Sequence, residues 1–214
     1  MSDLLLKIKR HPKFPMAMAG LAYLLLTATS AAALSVYFTD IAGSDFWHWQ
    51  LISYIIMVAN GLTGFSEFFD ESSFYPLRDL LDYCQLTLAL PCYAAEMWIK
   101  TETGPAEIAT IHAGLGIIAV LMYIVSESKR RDLTDLALFA NAGSLLYIAA
   151  TNTNVVILIA TAIVIAGYCM YKRQEPCCMA PADKFNFAMV AFAFFSLASF
   201  DDTIIQKIRS LLWV

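Results

Sequence analysis

The chain has 214 residues, of which 59% are hydrophobic and 15% are charged, and its mean hydropathy is +0.63. A soluble globular domain is about half apolar and about a quarter charged, so this composition excludes that class and predicts an integral, multi-pass membrane protein. The formal net charge is -4 and the basic residues form a few clusters, which excludes a nucleic-acid-binding surface and leaves the lipid bilayer as the expected partner.

Seven apolar segments follow one another along the chain. They cover residues 14–37, 47–66, 79–98, 107–125, 134–150, 154–172 and 185–204. A helix needs about 20 apolar residues to cross a bilayer, and most segments reach that length. The fifth is the shortest, and only the polar run at 151–154 separates it from the sixth. We therefore predict an all-α, single-domain protein over residues 1–214, built as a seven-transmembrane helix bundle.

The distribution of basic residues predicts the orientation of this bundle. Lys and Arg are concentrated before the first predicted span and in the loops after the second, fourth and sixth. Because cytoplasmic loops are enriched in Lys and Arg, we expect the N-terminus inside and the C-terminus outside. Residues 2–10 and 203–214 mix apolar and polar residues with helical spacing, so they are either short interfacial helices or frayed termini.

The most polar stretch is the hairpin at residues 60–98, between the second and third predicted spans. Polar residues there recur at helical intervals, which places them along one face of each helix. Ionisable groups are costly in lipid, so these faces should point into a protein interior or a wet cavity. The predicted residues of a binding site or conduction path are Asn60, Glu67, Asp70, Asp82, Gln85, Glu96 and, from the fourth span, His112.

The third span allows two interpretations of its charged residues. Asp82 lies near the inner boundary, Glu96 lies near the outer one, and Pro91 lies between them. Either the span lines a polar path across the membrane, or the two carboxylates are paired at the interfaces and only orient the helix. In both cases Pro91 is expected to kink the helix and to free a backbone carbonyl.

Residues in other spans predict contacts between helices. His112 is either a hydrogen-bonded packing residue or a partner that faces Glu96 across the bundle. Small residues that allow close helix packing are expected at Gly61, Gly64, Gly114 and Gly116. Interhelical hydrogen bonds are expected from Asn141, Ser144, Asn186 and Ser196.

Motifs for known cofactors and catalytic groups are missing from the sequence. It contains no HExxH, GxSxG, Walker or CxxC pattern, and its histidines are scattered at positions 11, 48 and 112. No lysine lies in the middle of a predicted span. We therefore predict no catalytic residues, no cofactor, no covalent retinal and no histidine-rich zinc site, which favours a non-enzymatic function.

Two short patterns resemble known families of seven-helix membrane proteins. Ser66, Phe69 and Asp70, followed by Asp82 and Tyr83, resemble the PAQR and alkaline-ceramidase (CREST) superfamily. That resemblance implies a lipid hydrolase whose metal would be held by Ser66, Asp70 and Asp82. However, Asp70 stands where the family has a histidine, and the seventh span contains no histidine.

The second resemblance is to the heliorhodopsins. It rests on Arg78, Asp82 and Tyr83 at the start of the third span and on the run DKFNFAMVAFAFFSLAS at 183–199. Phe194 or Phe195 stands where that family carries its retinal lysine. The resemblance implies a seven-helix bundle with its N-terminus inside and without covalent retinal.

Together these patterns favour a membrane protein that handles protons, ions or a small ligand, as a transporter, channel or receptor-like protein. One alternative is a metal-dependent membrane lipid hydrolase of the CREST type with a degenerate site. The other is a structural or accessory subunit, which acts as a homo-oligomer or within a larger membrane complex. The short loops in the sequence are compatible with each of these functions.

Overall fold

The computed structural model describes residues 13–42, 48–173 and 179–201. Within these ranges the chain is helical and contains no strand, so the predicted all-α class is confirmed. The α-helices are α1 (Lys13–Val36), α2 (Trp49–Ser66), α3 (Glu71–Lys100), α4 (Ala106–Ser126), α5 (Arg131–Thr151), α6 (Val155–Arg173) and α7 (Pro181–Phe200). The predictions for residues 2–10 and 203–214 lie outside the described residues.

Four stretches of helix are long and apolar enough to cross a membrane, which supports the prediction of a membrane protein. They are Met16–Ile41, Ala106–Ser126, Arg131–Thr151 and Val155–Arg173. The first of these combines α1 with a π-helical turn, Tyr37–Ile41. The helices α2, α3 and α7 have 18, 30 and 20 residues, but their sequences are less apolar because they carry the polar residues of the protein interior.

Short polar turns set the ends of several helices. The Asp70 side chain caps α3 by accepting a hydrogen bond from the backbone N–H of Ser73 at 3.3 Å. As a result α3 begins at Glu71, eight residues before the span predicted from apolarity. Between α5 and α6, the Asn154 side chain accepts a hydrogen bond from the N–H of Val156 at 3.0 Å. The predicted separation of the fifth and sixth helices is therefore confirmed.

The order of the helices in space places α3 inside the bundle. It packs against α2, α4 and α5, and it also touches α6. The helix α1 packs against both α2 and α7, and α7 packs against α6, so the first and last helices close the bundle. This arrangement brings the polar faces of α2, α3 and α7 together.

Glycines allow α1 and α2 to approach closely. A Cβ atom at Gly61 would lie 2.9 Å from the carbonyl oxygen of Tyr23, and one at Gly64 would overlap the Tyr23 ring. Close packing at these two glycines is confirmed. In α4 the prediction is wrong for Gly114, because an added Cβ would meet nothing within 4 Å there.

Pro91 frees a backbone carbonyl of α3 at the contact with α4. The helix continues through Pro91 from Glu71 to Lys100, but proline lacks the N–H that would bond to the carbonyl of Thr87, four residues earlier. A Cβ atom on Gly116 would lie 2.6 Å from that carbonyl oxygen. The missing side chain of Gly116 therefore makes room for the carbonyl that Pro91 frees.

The surface of the bundle is unusually apolar. The helix α4 buries only small residues, among them Ala109 and Ala113. It exposes large apolar side chains such as Ile111 (63%) and Val125 (82%). Meanwhile the interior contains fully buried polar residues such as Gln50. An exposed apolar surface of this extent is expected to face lipid.

Candidate functional site

A chain of hydrogen bonds in the interior joins three helices. The Asn60 amide of α2 donates to Asp82 Oδ1 and to Gln85 Oε1 of α3, both at 2.9 Å. Gln85 Nε2 then donates to Asn186 Oδ1 of α7, also at 2.9 Å. The amide residues Asn60, Gln85 and Asn186 are at most 1% exposed. We call Asn60, Asp82, Gln85 and Asn186 the interior amide network.

Three acidic residues surround one arginine next to this network. Arg78 donates from Nη1 to Glu67 Oε2 and from Nε to Asp82 Oδ2, the latter at 3.4 Å. Asp183, in the first turn of α7, is 6% exposed and interacts electrostatically with Arg78, Asp82 and Glu67. Glu67, Asp82 and Asp183 form the carboxylate cluster. One guanidinium does not neutralise three carboxylates, so this cluster has an excess of negative charge when all are ionised.

A second cation near the cluster is already paired. Lys129, which follows α4, interacts electrostatically with Asp82. However, its ammonium group donates a hydrogen bond to Asp79 Oδ1 at 2.5 Å, and Asp79 also accepts one from Tyr123 at 2.7 Å. Lys129 therefore offsets the charge of Asp79 first and does not balance the three carboxyl groups of the cluster.

Two atoms of the interior amide network lack a hydrogen-bond partner in the described part of the chain. They are Asn60 Oδ1, an acceptor, and Asn186 Nδ2, a donor. The hydroxyl of Tyr23, whose ring lies 5.6 Å from the Arg78 guanidinium carbon, is likewise without one there. Buried polar atoms are nearly always hydrogen-bonded to protein or to water, so this region is suited to holding water or a small polar ligand.

Asp82 lines a small cleft that lies beside a wider cavity. This cleft of about 10 Å³, room for about one water molecule, is lined by Asp82 and by Tyr83, Lys129 and Tyr171. The last three also line a wider cavity of about 220 Å³. We call this wider cavity the vestibule. Its polar lining consists chiefly of Tyr83, Lys129, Arg131, Tyr168, Tyr171 and Lys172.

Glu96 lies in a separate cluster at the opposite end of α3. Its Oε1 is 2.8 Å from Nδ1 of His48, and its Oε2 accepts a hydrogen bond from the backbone N–H of Gln50 at 3.3 Å. His48 Nε2 lies 3.0 Å from the carbonyl oxygen of Ala42. Both ring nitrogens therefore face oxygen acceptors, which a doubly protonated imidazole satisfies.

His112 does not face Glu96, so of the two alternatives for this residue the second is wrong. Its Nε2 lies 2.9 Å from Ser144 Oγ, and its ring stacks on Trp98 at 6.0 Å between centroids. Trp98 also donates to Ser144 Oγ at 2.6 Å. Trp98 and Glu96 are two residues apart on α3 and point in different directions. His112 is the hydrogen-bonded packing residue, and the predicted interhelical role of Ser144 is confirmed.

The two polar clusters on α3 are separated by an apolar layer. Gln85 and Glu96 are eleven residues apart, which is about 16 Å along a helix. Met57 of α2, Ala89 of α3 and Met189 of α7 lie between the clusters, and each is at most 1% exposed. They belong to one apolar core. In this conformation the polar residues do not form a continuous path between the two ends.

On the Glu96 side of the apolar layer, Ser196 of α7 provides further hydrogen bonds. Its Oγ lies 3.0 Å from the hydroxyl of Tyr54 and accepts a bond from Gln50 Nε2 at 3.4 Å. The interhelical bonds predicted for Ser196 and for Asn186 are therefore confirmed. Asn141 instead donates to the carbonyl of Ala137 in its own helix, at 2.6 Å.

The remaining predicted residues lie outside the carboxylate cluster. Asp70 is exposed and caps α3, and Ser66 is half-buried at the end of α2. Within the described ranges no group of three or more His, Cys, Asp or Glu side chains has the arrangement of a metal site. The structure thus brings together Asn60, Glu67, Asp82 and Gln85, and it places the other predicted residues elsewhere.

Two residues of these clusters were missed by sequence reasoning. Asp183 precedes Asn186 by three residues, so the helical spacing that identified the hairpin residues would also have found it. His48 carries no such signal. Its contact with Glu96, 48 residues away, depends on how α2 packs against α3.

Comparisons of the chain with protein-family models, curated proteins and solved structures found no match. The resemblances to the CREST superfamily and to the heliorhodopsins remain predictions from short motifs. Function is therefore inferred from the arrangement of the side chains alone.

Proposed function

We propose that the protein is a seven-transmembrane bundle that takes up protons or small cations at the carboxylate cluster. In this proposal α2, α3 and α7 cross the membrane together with the four more apolar helices. The inward orientation of their polar residues supports this, since Asn60, Gln85 and Asn186 are buried against one another. Helices with polar faces cross a membrane when those faces are turned away from lipid.

The proposed orientation has the N-terminus inside and the C-terminus outside. Arg78, Lys129, Arg131 and Lys172 lie at the end of the bundle where α3 and α5 begin and α4 and α6 end. Lys100 lies at the opposite end, at the last residue of α3. An excess of basic residues marks the cytoplasmic end, so the carboxylate cluster would open toward the cytoplasm.

The observation that carries the functional proposal is the grouping of three carboxyl groups around the single guanidinium of Arg78. Glu67 and Asp82 both bond to its guanidinium, and Asp183 interacts with the same group. Uncompensated negative charge is costly in a buried site, and carboxylates that share a site bind protons or cations to relieve it. The cleft beside Asp82 shares Tyr83, Lys129 and Tyr171 with the vestibule.

In the conformation described, the apolar layer closes the site on one side. Met57, Ala89 and Met189 separate Asp82 from the His48–Glu96 pair. A proton or cation therefore reaches Asp82 from the vestibule side, and release on the other side requires a rearrangement of α2 or α7. Alternation of this kind between two conformations is how a transporter avoids an open leak.

Ion flux in reconstituted liposomes tests the proposal. Full-length protein is reconstituted with a dye inside that senses the ion under test, and proton, sodium and potassium gradients are applied in turn. We expect flux from the wild-type protein and its loss in Asp82→Asn, which preserves shape but removes the charge. The matched control is Asp132→Asn, because Asp132 is 62% exposed and pairs only with Arg130 among the described residues.

Two outcomes would contradict this function. One is the absence of flux under every gradient from protein that elutes as a folded, monodisperse species. The other is equal flux from the wild type and Asp82→Asn. The lipid hydrolase and the accessory subunit, the alternatives from the sequence, have no comparable observation in their favour.

A further inference from the structure

The vestibule has the features of a site for an anion. It lies between the ends of α3, α5 and α6 and has a volume of about 220 Å³. Lysine, arginine and tyrosine side chains supply most of its polar lining, and no acidic residue of the described chain lines it. The buried hydroxyl-bearing residues Tyr83, Thr134 and Tyr168 are at most 4% exposed.

Arg131 differs from the basic residues around it because it forms no salt bridge within the described residues, although it interacts electrostatically with Asp135, the salt-bridge partner of Lys172. Lys129 pairs with Asp79 at 2.5 Å, and Lys172 pairs with Asp135 at 2.9 Å. Arg130, the neighbour of Arg131, pairs with Asp132 at 2.7 Å. In the part of the chain that the structure describes, no carboxylate pairs with Arg131. Its guanidinium therefore remains available for an anion that enters the vestibule.

A guanidinium binds phosphate well, since its planar N–H groups match two oxygens of a phosphate, as of a carboxylate, at once. Arg131 also begins α5, where the positive end of the helix dipole adds to the attraction of an anion. Basic pockets between membrane helices on the cytoplasmic side hold the phosphorylated headgroups of anionic lipids. The vestibule lies at the basic end of this bundle.

The surface beside the vestibule is suited to acyl chains. Phe139 and Leu136 of α5 are 51% and 53% exposed. The Phe139 ring contacts the ring of Tyr168, a vestibule residue, at 6.3 Å between centroids. A lipid whose headgroup enters the vestibule would thus lay its chains on an apolar surface that begins directly beside it.

We propose that the vestibule binds the phosphate-bearing headgroup of an anionic lipid, with Arg131 as its main contact. This inference goes beyond the uptake of protons or cations at the carboxylate cluster and does not depend on it. A bound headgroup would place negative charge near Lys129, which lines both the vestibule and the cleft beside Asp82. Asp82→Asn is therefore expected to retain lipid binding even where it abolishes flux.

The test uses full-length protein in detergent and a fluorescent phosphatidylinositol phosphate as the probe, with binding measured by fluorescence polarisation. Arg131→Gln is expected to weaken binding about tenfold, as expected for the loss of one charge-assisted contact. The matched control is Arg130→Gln. It removes the same charge at the neighbouring position, and the Arg130 side chain does not line the vestibule. That control should bind like the wild type.

Competition identifies the source of the phosphate. Displacement of the probe by unlabelled lipid but not by millimolar inorganic phosphate supports a headgroup site. Displacement by inorganic phosphate, lost in Arg131→Gln, supports an anion site that takes free phosphate. Lys172→Gln provides a second variant if Arg131→Gln does not fold. Failure of the probe to bind, or equal weakening by Arg130→Gln and Arg131→Gln, would overturn the proposal.

Discussion

At the scale of single residues, one amide group connects the parts of the candidate site. The two N–H groups of Asn60 satisfy a carboxylate oxygen of Asp82 and the amide oxygen of Gln85. Gln85 is thereby oriented with its own amide toward Asn186. The position of Asp82 therefore depends on a side chain from another helix, and Arg78 alone, at 3.4 Å, would hold it less firmly.

Removing this amide tests whether it has that role. Asn60→Ala removes the donor to Asp82 Oδ1 and to Gln85 Oε1 in a fully buried site, since Asn60 is 0% exposed. We expect the free energy of unfolding to fall by about 1–3 kcal/mol, the cost of unpaired buried polar groups. Thermal unfolding in detergent measures this. Asn152→Ala, at an exposed asparagine, is the control, and an equal loss of stability in both variants would contradict the assigned role.

Sequence reasoning found some residues of the site and missed others for a physical reason. Asn60, Asp82 and Gln85 follow the helical repeat, and the repeat alone places them on inward faces. The partner of Glu96 could not be predicted in this way. Whether Glu96 faces His48 or His112 depends on the rotation of α3 about its axis. That rotation, which turns Trp98 toward α5 and Glu96 toward His48, could not be read from the sequence.

At the scale of helices, close contacts depend on the absence of side chains. α1 crosses α2 where Gly61 and Gly64 face Tyr23, and α4 crosses α3 where Gly116 faces the free carbonyl of Thr87. Apolarity predicted seven spans, and four of the helices are long and apolar enough to support that prediction. The starting residue of α3 could not be predicted in this way, because its first turns are polar and are fixed by the Asp70 cap.

A pair of glycine substitutions tests this packing. Gly64→Ala places a Cβ atom within the ring of Tyr23, which is 1% exposed and has little room to move. We expect a loss of stability of about 1–3 kcal/mol from overpacking. Gly114→Ala meets nothing within 4 Å and should be neutral or stabilising, because alanine favours a helix. Thermal unfolding of both variants in one detergent compares them, and effects of the same sign and size would contradict the packing described.

At the scale of the whole molecule, polarity is arranged as two clusters with an apolar layer between them. The sequence predicted a polar interior centred on α2 and α3, but it left open whether that interior was continuous. The answer depends on the height at which Met57, Ala89 and Met189 meet, which is set by the packing of three helices. Each is at most 1% exposed, so water does not reach across the layer in this conformation.

If the apolar layer prevents a leak, a polar residue placed in it should create one. Met57→Ser introduces a hydroxyl and removes volume between Tyr54 and Asn60, one helical turn from each. We expect passive proton flux through reconstituted protein to rise above that of the wild type, with Asp82 still present as the binding group. The matched control is Met122→Ser on α4, where the side chain is 38% exposed on the outer surface.

Comparing Met57→Ser with Met122→Ser distinguishes the loss of a specific barrier from a general weakening of the fold. Both substitutions remove the same methionine side chain, so a leak caused by loosened packing or damaged liposomes would appear in both. A leak confined to Met57→Ser, and abolished when Asp82→Asn is added, would place the layer and the carboxylate in one pathway. Equal flux from Met57→Ser and the wild type would instead show that α2 does not contribute the barrier.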